Sequence, residues 1–123
     1  MARYLLAAIR IVNGAVGLFA PQLLIRRFGD ADPDHNPAAI YGLRLFGVRT
    51  VLIGLDLLTL RGEELERAVR RGVLIHVSDT ATAAALGLRR QLPPETAVPV
   101  TLISATNTAL ALAALTAERR NNA

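Results

Sequence analysis

The chain holds 123 residues, a length for one domain. Hydrophobic residues make up 52 % but aromatic ones only 4 %, which departs from the aromatic-rich core of an ordinary soluble domain, and the absence of cysteine excludes disulfides, thiolate metal sites and a cysteine nucleophile. The net charge is +4 and every basic residue is arginine, yet many arginines flank apolar segments instead of sharing one aromatic-interleaved face, which argues for a membrane and against nucleic acid as partner.

Residues 4–25, YLLAAIRIVNGAVGLFAPQLLI, have the length of a membrane span. A cleaved signal peptide would carry Arg3 in its basic region and end near Ala20. Arg10 interrupts its apolar stretch, however, and the segment is long for one, so a retained first helix is expected. Arg10, Asn13, Gly14 and Gly17 recur at i, i+3, i+4 and i+7 and share one face. That face is polar and small and should look into a bundle. Pro21 is expected to kink or loosen the last turn.

Residues 26–38 form the first connection. Asp30, Asp32 and Asp34 alternate there, as in a calcium loop. Counted from Asp30, however, the sixth and twelfth positions are His35 and Tyr41, where such a loop needs glycine and glutamate. A solvated acidic turn is the better reading. Asn36 followed by Pro37 is a helix start, with Asn as cap and Pro at the first helical position.

The second span is predicted over residues 38–60, and it carries Arg44, Arg49 and Asp56. Charges in hydrocarbon are expensive, so they must face protein, water or a ligand. Arg49 and Asp56 lie seven residues apart on one face, about 10 Å along the axis, too far for a direct pair. Arg44 lies on another side and either snorkels outward or anchors a ligand. Gly42, Gly47 and Gly54 would let neighbouring helices approach closely.

Residues 61–71, RGEELERAVRR, are the most charged connection, expected as an amphipathic or helical turn with a solvated face. The third span, residues 72–88, is at the short limit. His76, Asp79, Thr80 and Ala83 share a face there, and Ala83 and Gly87 form a small-xxx-small pair. Pro93-Pro94 breaks the chain before the fourth span, residues 97–117. In that span Ala105, Ala109, Ala113 and Ala117 make a smooth ridge for another helix. Thr101, Ser104 and Thr108 make a separate hydroxyl stripe. Residues 118–123 are a polar tail.

The expectation is therefore an all-α, single-domain, four-transmembrane-helix bundle. Four spans put both termini on one side, with Arg3, the arginines of residues 61–71, Arg119 and Arg120. Arg26, Arg27, Arg89 and Arg90 take the other. This bias predicts a multi-pass protein of the cell membrane with both termini cytoplasmic. Arg10, Asp56, His76 and Asp79 then sit in the cytoplasmic half and Arg49 near the middle. Arg10 and Arg49 would balance Asp56 and Asp79 in a nearly neutral buried network, with His76 at its edge. Such a network either specifies which helices meet or lines a cavity. In a cavity His76 and Asp79 are the candidate catalytic, proton-handling pair. Arg10, Arg44, Arg49 and Asp56 are the candidate ligand-binding set. No metal site or cofactor is read from the residues.

Residues 42–58, GLRLFGVRTVLIGLDLL, together with residues 76–83, HVSDTATA, resemble small four-helix membrane proteins related to the DoxX-like group. More narrowly, they resemble a bacterial and fungal membrane family of unknown function. Arg44, Gly47, Arg49 and Asp79 match its arginine-glycine-arginine pattern and its aspartate. The resemblance implies a four-helix membrane bundle and no established reaction. DoxX-like members are associated with redox partner complexes, but no haem or quinone motif is visible here.

Four functional classes remain. The first is a membrane bundle that binds or processes a small lipophilic molecule. The second is a structural or accessory subunit assembling with itself or a larger membrane complex through the alanine ridge. The third is a small proton-coupled transporter, disfavoured because both membrane carboxylates have arginine neighbours. The fourth is a soluble helical bundle.

Overall fold

A computed structural model of the chain describes residues 1–29 and 32–123. Among these there are five α-helices and no strand: α1 (Ala2–Phe19), α2 (Pro21–Arg27), α3 (Pro37–Thr59), α4 (Gly62–Leu88) and α5 (Pro94–Asn121), with a 3-10 turn at Pro33–His35. Asp30 of the acidic turn lies outside the described residues, while the Asp32 carboxylate lies 2.8 Å from His35 Nδ1.

The helix boundaries follow local chemistry. Asn36 caps α3: its side-chain oxygen accepts from the Ala39 N–H at 3.2 Å, and Pro37 follows in the first turn. Pro21 does more than loosen a turn. It splits the first predicted span into α1 and α2, because the residue before a proline is pushed out of the helical region, and Ala20 sits at φ −138°, ψ 56°. The chain reverses between α3 and α4 over extended Leu60 and Arg61, and Gly62 follows at φ 58°, open to a residue without Cβ. Most of the charged connection is thus the first turns of α4. That helix closes on Arg90 at φ 57°, with Gln91 N–H donating to Leu86 O at 2.9 Å and Arg90 N–H to Gly87 O at 3.1 Å.

Two close-packed pairs build the molecule, α1 with α3 and α4 with α5. The first pair meets backbone to backbone. A Cβ on Gly47 would lie 2.6 Å from Gly14 O, and one on Gly14 would lie 2.7 Å from Val51 N. Gly54 sits against Ala7 and Ile11, whereas Gly42 faces open space. In the second pair a Cβ on Gly87 would lie 2.8 Å from the Ala97 Cβ, and the Thr80 and Thr108 hydroxyls meet at 3.3 Å. A common core joins the pairs: Leu6 and Ala7 from α1, Leu57 from α3, Leu65 and Val69 from α4, Ala111, Ala114 and Leu115 from α5. The alanine ridge does not enter it. Ala105, Ala109, Ala113 and Ala117 are exposed, and α5 turns Asn107, Ala111 and Ala114 inward instead.

Three helices, α1, α3 and α5, are long and apolar enough to cross a membrane. α4 is outside that set because its first turns are charged and its apolar half contains His76 and Asp79. Around the apolar core, many large apolar side chains stand at the surface, and two ionisable ones are buried. Phe19, Leu74 and Leu102 are 81 %, 70 % and 62 % exposed, while Arg10 and His76 are 3 % and 1 % exposed.

Candidate functional site

Each long helix buries a polar side chain in mid-helix: Arg10 on α1, Thr50 on α3, His76 on α4 and Asn107 on α5; Thr96, also buried near the start of α5, donates to Arg27 O at 2.8 Å. None of the mid-helix groups is fully satisfied. Arg10 Nε and Nη2, Thr50 Oγ1, both His76 ring nitrogens and Asn107 Oδ1 have no hydrogen-bond partner. Thr50 is the telling case. Thr59, Thr80, Thr106, Thr108 and Thr116 each donate to the carbonyl four residues back, but Thr50 does not. Leaving a buried polar group unmade costs about 1–3 kcal/mol. Native proteins retain such groups sparingly, and each asks for an explanation.

Three of the helices bring charge to one place. Arg10 lies within electrostatic reach of Asp79 and Arg49, and His76 within reach of Arg10 and Arg49. Beside them α3 and α4 stand apart and leave a cleft of about 510 Å³. The two helices diverge from the turn at residues 60–61. Leu60 and Glu64 line its end beside the turn, and Arg49 and His76 the end away from it. Arg49 to Leu60 spans about 16 Å of helix axis at 1.5 Å per residue. The wall between carries Leu6, Ile53, Leu57, Val69 and Ile75, with Asp56 among them.

The sequence-predicted residues divide accordingly. Arg49, Asp56 and His76 line the cleft. Arg10 is buried behind it, and Asp79 is half-buried, off the cleft wall. Arg44 is exposed on α3 and lines no part of the cleft.

The balanced network of contact pairs does not form: among the described residues no ion pair joins Arg10, Arg49, Asp56 or Asp79. The reason is geometric. Arg49 and Asp56 are exposed on the side of α3 from which α4 stands off. Contact pairs gather instead where α4 begins and α1 and α5 have their termini. Arg3 meets Glu118 at 3.7 Å, and Glu66 meets Arg70 at 2.8 Å and Arg119 at 3.7 Å. Asn122 donates to Glu66 at 3.1 Å. That hydrogen bond, followed by the two arginines, holds the Glu66 carboxyl below the usual carboxylate range.

Thr50 and Asn107 are the residues that sequence reasoning missed. Asn107 was within reach of it, three positions past Ser104 on the face of the hydroxyl stripe. Thr50 carried no such signal. Comparison with family models, curated proteins and solved structures finds no match for this chain.

Proposed function

We propose that this chain is a multi-pass integral membrane protein that binds a small lipophilic molecule in the cleft between α3 and α4. The observation that carries the reading is His76: fully buried, with both ring nitrogens unpartnered, on the wall of a largely apolar cleft. The cleft's volume falls within the roughly 300–1,000 Å³ of small-molecule sites. A ligand that hydrogen-bonds His76 removes the cost of its unmade bonds.

In this reading α1, α3, α4 and α5 all cross the bilayer, with α4 contributing its apolar half. Contacts between Arg3 and Glu118, and between Asn122 and Glu66, support placing both termini at one end with the arginines of early α4. The arginine bias makes that end cytoplasmic. Kinship with the DoxX-like group rests on Arg44, Gly47, Arg49 and Asp79 and belongs to the same proposal. Binding is the role the geometry supports best; His76 and Asp79, one turn apart, are the groups a proton transfer would use.

Native mass spectrometry of the detergent-purified chain tests the reading. An adduct of defined mass is expected, and it should be lost in His76→Leu while the helical spectrum persists. A chain without adduct, or an adduct indifferent to His76→Leu, would remove the site.

A second reading, an accessory subunit, is favoured by the exposed ridge of Ala105, Ala109, Ala113 and Ala117. It predicts that Ala109→Leu dissociates an oligomer or larger complex in cross-linking. Assembly that survives the added bulk would exclude this face.

A further inference from the structure

We infer that the molecule held between α3 and α4 is an acid, its anionic carboxylate or phosphate head seated on Arg49 and His76 and its apolar body lying toward the turn that joins the two helices. This rests on the cleft being a ligand site and adds the chemical class and orientation of the ligand.

Positive charge at the Arg49 end of the cleft lacks a contact carboxylate. Arg49 is on the cleft wall and has no ion-pair partner among the described residues. Arg10 lies behind it with Nε and Nη2 unused, and His76 has neither ring nitrogen engaged. The carboxylate within electrostatic reach of Arg10 is Asp79, which does not line the cleft. Two guanidiniums therefore act on His76 without a carboxylate of comparable effect. An oxyacid head supplies what is lacking: negative charge, and several acceptor oxygens matched to the guanidinium fork. A neutral carbonyl would supply an acceptor and leave the charge uncompensated.

The part of the cleft nearer the turn is the other place where a head could sit, since Arg67 and Arg71 line it. There Arg67 already pairs with Glu63 at 3.4 Å, and Glu64 stands on the same wall. Asp56, the acid of α3, is about 10 Å along the axis from Arg49 and leaves the Arg49 end clear of repulsion.

Equilibrium binding of radiolabelled dodecanoate, dodecyl phosphate and dodecanol to the full chain in nanodiscs, with empty nanodiscs subtracted, tests this. Both acids, or one of them, should bind about tenfold more tightly than the alcohol, and the preferred acid separates carboxylate from phosphate. In Arg49→Gln the acid and the alcohol should bind alike, while Arg71→Gln should keep the preference. If all three probes bind equally in the native chain, the cleft stands and the acid assignment falls. If none binds above empty nanodiscs, the cleft itself falls. A preference lost in Arg71→Gln but kept in Arg49→Gln would move the head toward the turn and overturn the orientation. The native acid-to-alcohol ratio decides the ligand class even if Arg49→Gln cannot be recovered folded.

Discussion

At the scale of single residues, the glycines of α3 separate contact from composition. Gly47 and Gly42 both belong to the run that marks α3 as able to approach a neighbour, but their surroundings differ. A Cβ on Gly47 would meet Gly14 O at 2.6 Å and Leu18 N at 2.5 Å, both backbone atoms that cannot swing aside. Gly47→Ala should therefore force α1 from α3 and lower stability by about 1–3 kcal/mol. Gly42 has nothing within 4 Å of its Cβ position. Gly42→Ala should raise stability by roughly 0.5–1 kcal/mol through helix propensity alone. Thermal unfolding of the two variants in one detergent measures both signs. Equal shifts would show that the α1–α3 contact does not hold the pair together. Residue by residue, the polar interior follows the same division. The Arg10 face of α1 and the His76 face of α4 could be read from spacing. Thr50 could not, because a threonine in a helix ordinarily satisfies itself on the preceding turn, as Thr59 and Thr80 do here.

Between elements, Glu66 is where α4 and α5 are tied. It accepts from Asn122 and pairs with Arg70 and Arg119. The folded state holds its carboxyl below the ordinary value of 4.5. A group depressed on folding stabilises the folded chain while ionised. That contribution is present at neutral pH and begins to fall as pH drops through 4.5. It is gone below the lower folded-state value. Melting temperature plotted against pH should therefore decline on the acid side, and Glu66→Gln should flatten part of that decline. An unchanged acid limb in Glu66→Gln would show that the tie contributes nothing measurable, as many exposed ion pairs do not. The sequence shows residues 61–71 as charged and able to form a helical turn. That they extend α4 and bind the end of α5 depends on the turn at Gly62 and on Asn122, far away in the chain.

For the molecule as a whole, the large apolar side chains at its surface predict behaviour in bulk. With Phe19, Leu74 and Leu102 outside and Arg10 and His76 inside, alkaline carbonate should leave the chain in the membrane pellet, and detergent should be needed to extract it. Recovery in the carbonate supernatant would favour a soluble bundle. The absence of cysteine makes topology directly measurable. With four spans and cytoplasmic termini, an impermeant maleimide should label Ala38→Cys and Gln91→Cys from outside. It should label Ala123→Cys only after permeabilisation. Labelling of Ala38→Cys and Ala123→Cys with protection of Gln91→Cys would mean that α4 does not cross. Protection of both Ala38→Cys and Gln91→Cys, with Ala123→Cys labelled, would invert the bundle.

Local chemistry alone determined the helical character of the chain, the Asn36 cap, the breaks at Pro21 and Pro93-Pro94, and the small polar faces of α1 and α4. Each of these depends on neighbours within about one or two turns, where spacing and backbone preference act directly. Tertiary structure decided the rest: that Gly47 meets Gly14, that α5 turns Asn107 inward and leaves its alanine ridge outside, and that Arg10 and Asp79 come within electrostatic reach without a contact pair. Alanine, glycine and threonine occur on several faces of these helices, so periodicity does not rank one face above another. Only the fit of whole helices against each other does. The cleft exists for the same reason: close glycine packing holds α3 to α1, hydroxyl and alanine contacts hold α4 to α5, and between α3 and α4 the chain has no equally tight seam.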